Sequence, residues 1–190
     1  MGLVTVMRLI AKKLGAAFLS AIITGLITGI LLRVIMGIVA LVFPETARGL
    51  TFAGVTALLL VGIGFSLVHS IWFSVFSLLK SGTWLSKGLL YGLAALLVYG
   101  APFFLSNPDN DLFGPQAPLG ILLFSLIFII GGLSLSFFSH AFLTWTSRSP
   151  RRDKYMYMSA IVLTLPACWM LAGTTYEMFV ETIPAIQANW

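Results

Sequence analysis

Two histidines and one arginine sit inside otherwise apolar stretches of this chain, and they are its first candidates for chemistry. His69 lies eleven residues before Lys80 and His140 eight before Arg148, each near the basic cluster that ends its apolar run. An ionisable side chain at membrane depth is expensive and is a functional candidate by default. At 1.5 Å of helix rise per residue the two depths differ by about 4 to 5 Å, so the pair can share one layer. Two neutral imidazoles on separate helices at one depth suit axial ligation of a single b-type haem, with Gly62, Gly64, Gly131 and Gly132 leaving room for the macrocycle. A copper or zinc site would need further ligands, because no carboxylate within a span and no second cysteine accompanies the pair. The plainer role is hydrogen bonding to serines or carbonyls, as helix glue or as part of a solute or proton path.

The histidines share their helices with hydroxyl stripes. Ser66, Ser70, Ser74 and Ser77 follow spacings of four, four and three, and Ser136, Ser139, Thr144 and Ser147 repeat the idea around His140. Such stripes serve as packing faces, because lipid offers no hydrophobic drive between helices. They can equally line a polar track or a cofactor slot, and a hydroxyl that bonds its own helix decides nothing. Arg33 is the costliest residue of the first span, since its guanidinium stays charged at any depth. It either snorkels to outer phosphates or anchors an anion, whether a ligand's phosphate or Glu45, Glu177 or Glu181. Tyr91, Tyr99 and Trp169 suit aromatic packing or the lining of a quinone or lipid pocket.

The elements that must position these residues follow from composition. With 59% hydrophobic and 9% charged residues in 190 and a mean hydropathy of +1.02, the chain is read as an all-α integral membrane protein forming a single transmembrane domain over 1–190. Five stretches reach the length a span needs, near 16–42, 51–79, 84–105, 119–146 and 155–176. Pro44, the Asn107-Pro108-Asp109-Asn110 turn, the Gly114 to Pro118 stretch and Ser149-Pro150 break the pattern where loops belong. The N-terminal run after Arg8, Lys12 and Lys13 is too long for a signal-peptide core and is read as a retained first span. Pro166 should kink the fifth span, with Thr164 as a replacement partner. The tail from Met178 to Trp190 is expected to rest at the outer interface.

Charge gives the orientation. Arg8, Lys12, Lys13, Lys80, Lys87, Arg148, Arg151, Arg152 and Lys154 fall on one side of a five-span path, while Glu45, Asp109, Asp111, Glu177 and Glu181 fall on the other with Arg48. The N-terminus is therefore read as cytoplasmic, the C-terminus as outside, and the location as a bacterial-type inner membrane. The net charge of +5 is explained by that asymmetry, so nucleic acid is not an expected partner. Cys168, the only cysteine, excludes an intrachain disulfide.

Gly25, Gly29 and Gly37 recur as Gly88, Gly92 and Gly100 with the same spacings, so both helices carry GxxxG. Carried on, the comparison aligns 14–80 with 84–151 and His69 with His140. A true duplication would be a parallel repeat, a 2+2 bundle with one peripheral helix and the histidines facing each other. Coincidence among glycine-rich helices is the alternative.

No Walker loop, dinucleotide fingerprint, HExxH or GxSxG motif is present, and every aspartate is in a loop. The preferred reading is a non-catalytic membrane module: a subunit of a larger complex, associating with other subunits or itself through GxxxG faces, or a small transport or ligand-binding unit. Its site residues would be Arg33, Ser66, Ser70, Ser136 and Ser139. A b-haem electron carrier using His69 and His140 is the alternative, and a lipid-headgroup enzyme or binder using Arg33 is the third.

Overall fold

The computed structural model describes residues 3–44, 51–106 and 115–189, and all its regular structure is helical. Helix α1 covers Leu3–Val42, α2 Phe52–Leu79, α3 Trp84–Ser106 and α4 Ala117–Ser147. Helix α5 starts in a tight turn at Pro150–Arg152, runs as Asp153–Glu177, widens at Met178–Thr182 and ends as Ile183–Asn189. All five are long and apolar enough to cross a membrane. Threonines start two of them: Thr51 accepts from the Gly54 N–H at 3.1 Å and Thr83 from the Ser86 N–H at 3.3 Å, each satisfying a donor the helix start leaves open.

Several boundaries differ from expectation. Helix α1 begins at Leu3 rather than near 16, because Arg8, Lys12 and Lys13 are good helix formers that extend the apolar run without a break. Helix α5 does not stop near 176 but stays helical to Asn189 through its wide turn. The helix also continues through Pro166, and Thr164 bonds the Ala160 carbonyl rather than the Val162 carbonyl that the proline leaves free. The expected features at Glu45, Arg48, Asn107 to Asn110, Asp111, Gly114 and Trp190 lie outside the described residues.

Helix α1 is the central post, packed against α2, α4 and α5, while the α3 backbone packs mainly on α4 and meets α2 through side chains. Close backbone approach explains both tight pairs. A Cβ on Gly25 would overlap Ile63 and Gly62, and one on Gly62 would overlap Gly25 and Gly29. On the other pair, a Cβ on Gly88 would fall 2.8 Å from the Leu133 Cα, and one on Gly132 2.6 Å from the Gly92 backbone. The GxxxG faces are thus occupied by the chain's own helices, so a partner would have to use other faces. The correspondence ends there, since Gly37 has open space around it while Gly100 meets Leu96 and Phe128.

Small residues of α1, Ala16, Ala17 and Ala21 with Phe18, form the core against Leu67, Phe73, Leu135 and Ala167. Hydroxyls stitch the seams: Ser139 donates to Ser20 at 3.2 Å, Ser136 to the Trp84 carbonyl at 2.7 Å and Ser159 to the Gly15 carbonyl at 2.9 Å. Lys12 pairs with Asp153 at 2.6 Å, tying α1 to the start of α5. The outward faces stay apolar, with Ile161, Leu165 and Trp169 exposed along α5. So large an apolar surface marks a face made for lipid or protein rather than water.

Candidate functional site

Because α2 and α3 diverge while α1 and α4 stay packed, a chamber of about 440 Å³ opens between them. Its walls are mostly aromatic and aliphatic, and its few polar groups include Thr24, Ser66, His69 and Tyr91. Val61 of α2 and Phe103 of α3 both line it and are 60% and 45% exposed, so these walls also reach the outer surface of the bundle. Both wide turns belong to it. Tyr99, in the turn Leu96–Gly100 of α3, lines the chamber, as do Met178 and Thr182 of the α5 turn. Such turns recur at functional sites because the extra residue re-aims side chains. Helix α5 is therefore more than a peripheral flank: it leans on α1 and α2, and its far end reaches the upper part of α3 and supplies Glu177 to the chamber.

His69 is the chamber's central polar group. It is 6% exposed and packs edge-on against the rings of Phe65 (4.2 Å between centroids) and Tyr99 (4.8 Å), which also touch each other at 5.9 Å. Its Nδ1 lies 2.8 Å from the Tyr91 phenol oxygen, and that phenol donates to the His69 backbone carbonyl, also at 2.8 Å. The phenol has one proton, and a carbonyl only accepts. Both contacts form together only when Nδ1–H donates to the phenol oxygen while the phenol donates to the carbonyl. The neutral ring then carries a bare lone pair on Nε2, and Nε2 is buried without a partner among the described residues. Thr24 Oγ1, on a residue 2% exposed that also lines the chamber, is partnerless too. A buried polar atom left unpaired costs about 1–3 kcal/mol.

A second cavity, of about 350 Å³, lies at the basic end of the bundle. Lys13 of α1, Ser77 of α2, Thr83, Lys87 of α3 and His140 of α4 line it. Phe73 lines this cavity and stacks at 5.3 Å on Tyr91, which lines the chamber, so an aromatic layer divides the two.

The predicted residues are therefore distributed, not gathered. His69 is buried in the chamber, whereas His140 is exposed and lines the basic-end cavity. The mutual facing that a shared haem requires does not occur. The reason is a register difference of one residue. The glycine contacts equate Gly62 with Gly132, a shift of 70, which sets His69 against Ser139 and His140 against Ser70. One residue turns a helix by about 100°, enough to carry His140 off the inner face. Ser66 lines the chamber, Ser136 and Ser139 line the basic-end cavity, and Ser70 lines neither, bonding the Leu67 carbonyl at 2.6 Å. Of the glycines expected to make room, Gly62, Gly131 and Gly132 line the chamber, while Gly64 faces Met170 of α5. Arg33 lines neither cavity and forms no ion pair among the described residues. Trp169 faces outward.

Two contributions escaped the sequence reading. Tyr91 reads in sequence as a pocket-lining aromatic but not as the partner of His69, although it is eleven residues after Lys80 and His69 eleven before it, which sets the two near one depth. Lys13 and Lys87 were read only as topology signals, yet they border a cavity together. Comparison of the chain with protein families, with characterised proteins and with solved structures finds no match.

Proposed function

We propose that the protein is a non-catalytic multi-pass membrane module that holds an apolar ligand in the chamber between α2 and α3. In this reading the basic end faces the cytoplasm of a bacterial-type inner membrane, as the distribution of lysine and arginine favours. The observation that carries the proposal is a chamber of about 440 Å³ whose walls are mostly apolar and carry His69, with its Nε2 buried and without a partner among the described residues. Because Nε2 is an acceptor, an occupant that carries an O–H or N–H would satisfy it once a small shift of the ring exposed it. Apolar walls take up the rest of the molecule, as ligand sites generally combine a large apolar surface with a few placed polar groups. A quinol, a long-chain alcohol or an amide-bearing lipid has this chemistry, and a ketone or ester that only accepts does not.

The test is mass spectrometry of organic extracts from the full-length protein purified out of native membranes, beside a His69→Phe variant. A species enriched over bulk lipid, bearing a hydroxyl or N–H and missing from the variant, is expected. Extracts that match bulk lipid in both proteins would refute the reading.

A further inference from the structure

Six acidic residues exist in the whole chain against nine lysines and arginines at its basic end, so most of those cations, Lys13 and Lys87 among them, have no acidic residue to pair with. Glu177 and Glu181 lie near the far end of α5, and in sequence Glu45 falls between α1 and α2 and Asp109 and Asp111 between α3 and α4. Only Asp153 shares the basic end, and Lys12 already holds it at 2.6 Å. Lys13 and Lys87, on different helices, are close enough to repel each other. Both border the same cavity. Neither makes an ion pair among the described residues.

The rest of the cavity suits an anion. Thr83 caps α3 with its hydroxyl oxygen, which leaves its own proton free to donate outward. The start of α3 beside it adds the positive end of the helix dipole. Ser77 and His140 line other walls. Two ammonium groups, the Thr83 hydroxyl and a helix start converge here on a volume of about 350 Å³. We propose that this cavity binds a phosphate group bearing about two negative charges, with Lys13 and Lys87 as its paired counter-ions. An occupant of that charge turns the repulsion across the cavity into two attractions. This site is separate from the chamber around His69 and stands whether or not a ligand is found there.

The phosphate has two sources, the headgroup of a lipid such as phosphatidic acid or a free phosphate, and the experiment separates them. Full-length protein is placed in nanodiscs of phosphatidylcholine with and without phosphatidic acid, and in parallel titrated with inorganic phosphate in neutral detergent. Wild type is compared with Lys13→Gln/Lys87→Gln, with Lys13→Arg/Lys87→Arg, and with Lys80→Gln as a control at the same end but outside the cavity. Each near-surface lysine contributes about fivefold to the affinity for an acidic headgroup, so the double glutamine variant should bind about 25-fold more weakly. The arginine pair and Lys80→Gln should stay close to wild type. Loss of stabilisation by phosphatidic acid assigns a lipid headgroup, and loss of saturable phosphate binding assigns the free ion. Equal behaviour of wild type and the glutamine pair in both arms overturns the site. Equal losses in the Lys80→Gln control overturn it too, because they reveal diffuse charge rather than a cavity. Retention of binding by the arginine pair guards against a glutamine variant that merely misfolds.

Discussion

The Tyr91 phenol grips His69 twice, receiving its Nδ1–H at 2.8 Å and donating to its backbone carbonyl at 2.8 Å. One hydroxyl from α3 thereby fixes both the orientation of the α2 histidine and the place of its proton. The grip adds hydrogen bonds to an α2–α3 seam otherwise made by ring contacts such as Phe73 on Tyr91 and Phe65 on Tyr99.

Tyr91→Phe should release that proton. In wild type, nitrogen NMR of the His69 ring should show protonated Nδ1 and bare Nε2, and the variant should show a mixture or the reverse. Loss of a cross-helix hydrogen bond within a membrane protein costs about 0.6 kcal/mol and up to about 1.7. Unfolding of the variant in mixed micelles should show a loss in that range.

The two histidines should act independently. His69→Gln removes a buried, bonded ring and should cost about 1–3 kcal/mol. His140→Gln alters an exposed side chain and should stay within about 0.5 kcal/mol of wild type. The double variant should equal the sum of the singles within about 0.5 kcal/mol. A larger coupling energy would mean that the rings communicate despite lining different cavities.

Glycine substitutions should divide sharply by position. Gly62→Val and Gly132→Val drive side chains into the facing backbones, so each should prevent tight pairing of its helices, read as a collapse of folded yield. Gly37→Ala and Gly173→Ala enter open space and should be neutral or stabilising by up to about 1 kcal/mol.

The proposed orientation can be read by labelling. Cys168 is the chain's only cysteine, so a Cys168→Ser background permits single new cysteines. A membrane-impermeant maleimide added to intact cells should spare a cysteine replacing Lys80 and label one replacing Gln187. Labelling in the opposite sense would reverse the orientation.

The sequence made the five helices readable because each is a long apolar run, and α2 was placed within one residue at its start. It could not reveal how the helices are turned about their axes. His140 shows why. Counting residues gives depth at 1.5 Å per step, and depth alone made the histidines equivalent. Facing depends instead on a contact such as Gly62 against Gly25, and one residue of register separates an inward ring from an outward one. The chamber was hidden for a related reason, since a cavity arises where two helices part company, and nothing in α2 or α3 alone records their separation. The helical end of α5 was missed because Pro184 and the mixed polarity after Tyr176 resemble an interfacial tail.

The exposed chamber walls at Val61 and Phe103 bear on how the chamber is supplied. If its occupant arrives from within the bilayer, the quantity that sets occupancy is the occupant's mole fraction among lipids, not its concentration in water. Delivery is then a two-dimensional search, and solubilising the protein in excess detergent dilutes the reservoir itself. A chamber filled in the membrane would empty as the detergent-to-lipid ratio rises and refill when lipid is restored.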